Sequence, residues 1–446
     1  KEKMESNELK CEPEQLRLNK RHTKIMGTIS RRTNLSDIPN LILNGMDGVR
    51  IFCESDNSFC KSVIQMVRQA SKEARKRIVI SCELRQFRKM FVGQIENDGF
   101  LNLKIGEKIC ITNQESVLGK EGILPVKNCP EFSNNLLDNM VFFDMGSVCA
   151  IVKSVAPHAL ECEIQNTGKV YEHTQVTFSE KHNGIAAGEE PRDDTLPIDV
   201  AFCLENDIDY IVHSIYNGKE EIEKLQNIIQ EQHKKLFDEG KAKHPDYEIK
   251  IIAKLENEES IKDIEGLLNV ANCILIPRGV LGTVLPIEKI SWIQKSVIKF
   301  CNHAAKPCIL ASQFLDSMVY NPFPLRAEVT DIHSAVMDGA DCLLLNAETT
   351  VGKYPLEALK TMHDVCVSAE QHFNYQDYFL EMLTSAAKPM QKVEVVATSS
   401  VKSAFSLQSP IIINVTDIGR LPRMICKYKP YSQVIVISEN PRIANQ

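Results

Sequence analysis

The sequence predicts an α/β protein, a (β/α)8 TIM barrel interrupted after its third strand, and three observations carry that reading. Eight short, nearly all-apolar segments recur along the chain. Helical periodicity fills the intervals between them, as a parallel sheet covered by helices requires. One interval, from about residue 96 to 190, breaks the rhythm with short alternating runs and no long helix, which reads as a β-rich insert. An open doubly wound sheet is the competing architecture, because periodicity alone does not separate the two.

The first strand lies in KIMGTIS, from Lys24. A helix follows, capped by Ser36 or Asp37, with Ile38, Leu41 and Ile42 along one face and Gly45 at its end. The second strand, GVRIF, finishes with Arg50, and a helix bearing Phe59, Val63, Ile64 and Val67 leads to the third, IVISCEL at 78–84. The insert contains KIGEKICIT, MVFFDMG and ALECEIQN, and returns through a stretch from Glu180 to Thr195 rich in Gly, Glu, Asp and Pro. The rhythm then resumes with DYIVHS at 209–214, KIIAKLE at 250–256, CILIP at 273–277, CILAS at 308–312 and CLLLN at 342–346. Pro286 opens a helix bearing Ile287, Ile290 and Val297, and Gly339 closes another after Ile332, Ala335 and Val336.

From about residue 371, SPIIINV at 409–415 and SQVIVIS at 432–438 read as buried strands flanking a helix at Leu421 to Tyr428. A βαβ unit ending there has few strands, so the expectation is a truncated C-terminal α/β domain. The division that follows is a flexible N-terminal extension at 1–21, the barrel at 22–95 and 191–370, the inserted β-rich domain at 96–190, and the incomplete C-terminal domain at 371–446.

Composition narrows the function classes. A chain of 446 residues exceeds one ordinary core, so two or three domains are expected. A formal net charge of -7 and a pI near 6.0 argue against a nucleic-acid partner, since phosphate backbones reward clustered Lys and Arg. The basic run Lys72, Arg75, Lys76, Arg77 caps a solvated helix end. Fifteen cysteines without a CxxC, most of them in apolar runs, suit reduced core thiols in a cytoplasmic protein better than a disulfide framework or a zinc site. No stretch has the length and apolarity of a membrane span, and the polar N-terminus does not read as a signal peptide.

In a barrel of this kind ligands bind at the C-terminal ends of the strands, which here carry Arg50, Glu83, Ser214, Lys254, Glu256, Arg278 to Val280, Ser312 and Glu348. The period of two places Lys254 and Glu256 on one face of their strand, a cation beside a metal-ligating carboxylate. RGVLG, at 278–282, reads as a glycine-bracketed loop whose main-chain N–H groups can meet an anion. Phosphoryl transfer needs cations, a divalent metal and a positioned proton donor or acceptor. Each residue also has a bland reading. Lys254 and Glu256 form an internal ion pair, Arg50 is an interface cation, Ser312 satisfies a backbone group, and RGVLG is only a tight turn.

At these residues the sequence resembles the pyruvate kinase family. The resemblance rests on TKIMGTIS, NGMDGVRIF, KIIAKLEN, IPRGVLG, LPIEKI, CNHAAKPCILASQFLDSM and PLRAEVTDIHSAVMDGADCLLLNAETTVGKYPLEAL, in the family's order, and covers roughly residues 22 to 446. It implies a barrel, a lid domain after the third strand and a C-terminal α/β domain. The implied reaction is phosphoenolpyruvate plus ADP to pyruvate plus ATP, the last step of glycolysis, with Mg2+ and usually K+, in proteins commonly tetrameric. It implies that Lys254 stabilises the transferring phosphoryl group, that Glu256 is a metal ligand, that Arg50 binds phosphate and that Ser312 stands near the enolate. Ser214 matches a serine beside the ion sites, and Gly279 and Val280 offer backbone N–H groups to the substrate carboxylate.

The departures shape the expectation. The family reads RGDLG where this chain has Val280, and an isopropyl group cannot coordinate Mg2+, which demands oxygen ligands. Phe52, Glu54 and Leu84 replace the asparagine, serine and threonine of the monovalent-cation site, and Glu83 replaces its aspartate. On the nucleotide side, Met90 stands where an arginine is expected, and SEKHNG at 179–184 lacks a clear lysine pair. Thr416 to Leu421 replaces the effector loop with an aspartate in it, so activation by fructose-1,6-bisphosphate is not expected. Two functions remain open: a pyruvate kinase-like phosphotransferase impaired by a weakened Mg2+ site, and a catalytically inactive paralogue acting as a regulatory or structural subunit. The expected partners are phosphoenolpyruvate, ADP or ATP, and pyruvate kinase subunits in a homo- or hetero-oligomer.

Overall fold

Parallel pairing of eight strands closes a barrel: β1 (Lys24–Thr28), β2 (Gly48–Phe52), β3 (Val79–Glu83), β4 (Tyr210–Ile215), β5 (Lys250–Leu255), β6 (Cys273–Pro277), β7 (Cys308–Ala311) and β8 (Cys342–Leu345). Each strand pairs with its sequence neighbour, and β1 closes the ring against β8 with Lys24 opposite Cys342. This computed structural model describes residues 21–53, 57–85, 90–96, 99–114, 116–129, 131–172, 174–179, 195–241, 249–440 and 443–444. Residues 1–20 of the expected extension, Glu54, residues 86–89 and the return stretch at 180–194 lie outside the described residues. Arg21, drawn at the end of that extension, is buried, with its guanidinium bonded to Asp47 and to the Gly45 carbonyl.

The near-continuous apolar character of the strands follows from burial on both faces. Ile25, Val49, Ile51, Ile211, Ile251, Ala253, Ile274 and Leu343 pack outward against the helices. Met26, Val212, Ile252, Leu275, Ile309 and Leu344 fill the barrel axis. The helices bury one stripe each; Ser58–Glu73, for example, buries Cys60, Val63, Ile64, Val67 and Ala70. The first helix, Ile38–Leu43, buries Ile38, Leu41 and Ile42, and the turn before it is capped by Asn34, which accepts from the Ser36 N–H. Asp37 stands at the N-cap position of the helix as expected but makes no side-chain capping bond among the described residues, because a 3-10 turn at Leu35–Asp37 precedes the helix and Asn34 caps that turn. Among the described residues no helix is long and apolar enough to cross a membrane.

Between β3 and the helix Leu196–Glu205 the chain builds a second closed barrel of seven short strands, running from Met90–Val92 to Gln175–Phe178. Alternating inward residues, among them Ile111, Leu124, Val126, Val141, Phe143, Ala150 and Leu160, form its own core. Its Asp144–Gly146 turn, with Met145 at φ 53°, reaches the first barrel, where the Met145 sulfur lies over Gly279.

After β8, helices Pro355–Gln371, Tyr375–Ser385 and Lys392–Leu407 lead to a two-stranded parallel sheet, Ile411–Val415 with Gln433–Ile437, around the helix Arg420–Lys427. Phe379, Met382, Ala397, Val401, Ile425 and Tyr428 form a small separate core. The two strands are not buried as expected. Ile413 is 57% exposed and Ile437 52% exposed, because one sheet face rests on helices and the other has no covering layer among the described residues.

Candidate functional site

The barrel's inner layers position the site. Along each strand the side chain two residues beyond an axial apolar residue shares its face. Thr28 follows Met26, Ser214 follows Val212, Lys254 follows Ile252 and Asn346 follows Leu344. The polar residues therefore form the last layer of the barrel interior, at the C-terminal ends of the strands.

One network joins them. The Lys254 ammonium donates to Glu83 Oε1 at 2.8 Å and lies 3.0 Å from Glu256 Oε1. Ser214 Oγ donates to that Glu256 oxygen at 2.6 Å. The Arg50 guanidinium reaches Glu83 Oε2 at 3.1 Å, Thr28 Oγ1 at 3.0 Å and Asn346 Oδ1 at 2.9 Å. Asn346 Nδ2 in turn donates to Ser312 Oγ at 3.1 Å. A continuous polar path thus connects Ser214, Glu256, Lys254, Glu83, Arg50, Asn346 and Ser312, all but Asn346 buried.

Two cations and two carboxylates balance inside this layer, which is how buried charge is tolerated. Burial pushes the Arg50 guanidinium down, against the opposing pull of Glu83 and Glu256. Burial acts the same way on Lys254, but the Glu256 and Glu83 carboxylates outweigh it and hold the ammonium up, so it stays charged. Among the described residues, Arg50 Nε is buried with no hydrogen-bond partner, as is Arg278 Nε. Two arginines at this face therefore keep a donor available for an acceptor.

RGVLG is not a loop. Pro277 ends β6 and Arg278–Val284 is helical, so Gly279 and Val280 occupy its first turn, where main-chain N–H groups have no intrahelical acceptor. Arg278 turns away from the network: it pairs with Asp331 at 2.8 Å, donates to the Ser312 carbonyl at 2.8 Å and stacks 4.0 Å from the Phe314 ring centroid. This anchors the Ser312–Gln313 turn, where both residues have positive φ (76° and 57°). A Cβ on Gly279 would stand 3.3 Å from Ser312 Cβ and 2.6 Å from the Met145 sulfur, so the absence of a side chain there lets insert and barrel close together.

The residues singled out from sequence thus meet in large part: Arg50, Glu83, Ser214, Lys254, Glu256 and Ser312 share the network, and Gly279 adjoins Ser312 at the helix start, with Val280 the next residue of that turn. Glu348 does not join. It is buried and accepts from the main-chain N–H groups of Leu315 at 3.1 Å and Asn346 at 2.8 Å, locking the turn after β8, and burial pushes its carboxyl up. Sequence reasoning missed Thr28 and Asn346 as members. The signal for both was the period of two from Met26 and Leu344.

Donor chemistry tests which ions fit. Glu256, with the Ser214 hydroxyl beside it, offers oxygen to a hard cation, and Mg2+ is commonly held by one or two carboxylates plus water and substrate phosphates. Val280, 8% exposed, offers no oxygen side chain. A monovalent-cation site fits poorly. Phe52 stacks with Arg50, 4.9 Å from ring centroid to guanidinium, Leu84 is aliphatic, and both Glu83 oxygens face cations.

Comparisons with known proteins agree with the geometry. A family model for the pyruvate kinase barrel domain matches residues 20–359. The chain is 30% identical over 424 residues to a pyruvate kinase of Dictyostelium discoideum, covering 93% of this chain and 80% of that protein. It is 29% identical over 429 residues to one of Thermococcus litoralis, covering 95% and 86%. Among solved structures, Cryptosporidium parvum pyruvate kinase in complex with ADP superposes with a TM-score of 0.84 at 28% identity, covering 95% of this chain and 83% of that one.

Proposed function

The chain belongs to the pyruvate kinase family, and from that premise we propose that it binds phosphoenolpyruvate and ADP at the C-terminal face of its barrel and transfers the phosphoryl group slowly. The observation that carries this reading is the buried network in which Lys254 stands between Glu83 and Glu256, with Arg50 joined to the same Glu83. A cation locked in place by two carboxylates is preorganised for a phosphoryl group and needs no reorganisation as charge develops.

In this reading Arg50 Nε, a buried donor with no partner among the described residues, donates to a phosphate oxygen. Lys254 meets the oxygens of the group in flight, and the first-turn N–H groups of Gly279 and Val280 orient the substrate carboxylate. The bond from the enol oxygen to phosphorus breaks as the ADP β-phosphate oxygen bonds to it, and the enolate left behind takes a proton at its methylene carbon. In this reading the Ser312 hydroxyl, held by Asn346 Nδ2 at 3.1 Å, serves that protonation. Glu256 with Ser214 would hold Mg2+, which supplies charge neutralisation across the phosphates when bound. With valine at 280 the cation has one protein carboxylate, which removes on the order of a few kcal/mol of transition-state stabilisation. No role is assigned to K+.

The same valine favours the second reading, a catalytically inactive subunit that assembles with active pyruvate kinase chains. A coupled assay of pyruvate formation with Mg2+ or Mn2+ separates the two. Slow turnover that rises at least about tenfold in Val280→Asp and disappears in Lys254→Met supports the enzyme. No turnover in either the native chain or Val280→Asp, together with co-elution with an active relative, supports the subunit.

A further inference from the structure

The wall that carries the site has a second face. Phe52 and Glu83 point toward the barrel mouth, so Cys53 and Cys82, each one residue further or earlier, point the other way, into the helix layer. There the helix Leu196–Glu205 brings in Cys203. The Cys53 and Cys82 sulfurs are 3.2 Å apart, and the three sulfurs all lie within 4.8 Å of one another. All three residues are buried, with exposures of 5%, 0% and 0%.

We propose that Cys53, Cys82 and Cys203 form a three-sulfur site for a soft d10 cation of the copper(I) class. A cation held by thiolates at about 2.3 Å in a trigonal array sets its sulfurs roughly 4 Å apart. That spacing lies between the closest pair here and the outer limit of the trio, so shifts under about 1 Å suffice. Sulfur ligands select soft ions and exclude Mg2+. Asp199, whose charge reaches Cys53 and Cys203, accepts from the Arg85 guanidinium at 2.6 and 2.9 Å and from its main-chain N–H at 3.0 Å, which holds it back from acting as a fourth ligand of the kind zinc prefers. Arg85 also acts electrostatically on Cys53, a counter-charge beside the site.

Binding exchanges protons for metal without any change of oxidation state: one M+ and three R–SH give M(SR)3 with charge 2−, and three H+ leave to solvent. The Cys53 main-chain N–H donates to the Glu83 carbonyl at 2.8 Å, so the loaded trio is one peptide from the carboxylate that holds Lys254 and Arg50. This site does not depend on whether the chain turns over phosphoenolpyruvate.

The test uses the full, reduced chain under argon, titrated with copper(I) in competition with bicinchoninate. The expected result is one equivalent bound with three sulfur neighbours by copper X-ray absorption, at least tenfold weaker binding in Cys203→Ser and Cys53→Ser, and no change in Cys162→Ser of the insert. Hydrogen-exchange mass spectrometry of the native chain supplies a readout that needs no substitution: loading slows exchange in peptides spanning Gly48–Phe52 and Leu196–Glu205. Unchanged affinity in folded Cys203→Ser, fewer than three sulfurs on the metal, no local protection, or a Cys53–Cys82 disulfide in place of bound copper each overturns the proposal.

Discussion

At the scale of single residues, the decisive fact is that a buried lysine is held by two carboxylates, Glu83 at the end of β3 and Glu256 just past the end of β5. Removing one partner of such a group leaves uncompensated charge, which costs about 3–5 kcal/mol. Lys254→Met is therefore expected to lose stability of that order as well as turnover, read from urea denaturation monitored by circular dichroism. Glu348 gives a second residue-level expectation. Its folded-state pKa is raised above the ordinary 4.5 by burial, so the folded chain holds the proton more tightly than the unfolded chain does. Its contribution is most favourable at low pH and falls as pH rises through the raised value. Glu348→Gln removes that dependence, so the stability of the native chain relative to this variant should decline as pH rises from the ordinary 4.5 through the raised value. A constant difference across that interval would contradict the assignment.

At the scale of elements, the turn after β8 shows how a short sequence signature controls a site. Asn346 must face Arg50 and Ser312 while Glu348 ties the main chain behind it, and the turn closes on Gly352, whose N–H donates to the Ala347 carbonyl at 2.9 Å. A Cβ at Gly352 would stand 2.4 Å from the Glu348 carbonyl oxygen, a main-chain atom that cannot step aside. Gly352→Ala is expected to cost about 1–3 kcal/mol and to weaken phosphoenolpyruvate binding by displacing Asn346, checked by denaturation and by ligand-induced change in melting temperature. All eight barrel strands were legible in the sequence to within a residue or two, because apolar runs bounded by turns are a local signal. RGVLG was misread because a helix start and a tight loop use the same glycines, and only the following turn decides between them.

At the scale of the molecule, two closed barrels bury their own cores while the last two strands leave Ile411, Ile413, Val415, Ile435 and Ile437 on an open face. Apolar patches of this kind bind hydrophobic probes. Ile413→Lys should lower anilinonaphthalene sulfonate fluorescence while leaving unfolding within about 0.5 kcal/mol of the native chain, since the side chain is already outside the core. The expectation of buried strands failed there because alternation reports which residues are apolar, not whether a covering layer exists. By itself the sequence determined the strand and helix rhythm, the interruption after β3, the family, and the pairing of Lys254 with Glu256, all of which rest on local spacing or long matched motifs. Only the tertiary structure decided that Glu83 joins Lys254 across 171 positions, that Asn346 bridges Arg50 to Ser312, and that three thiols, from the end of β2, from β3 and from a helix, meet. Those contacts follow from strand register and barrel closure, which no local pattern in the chain encodes.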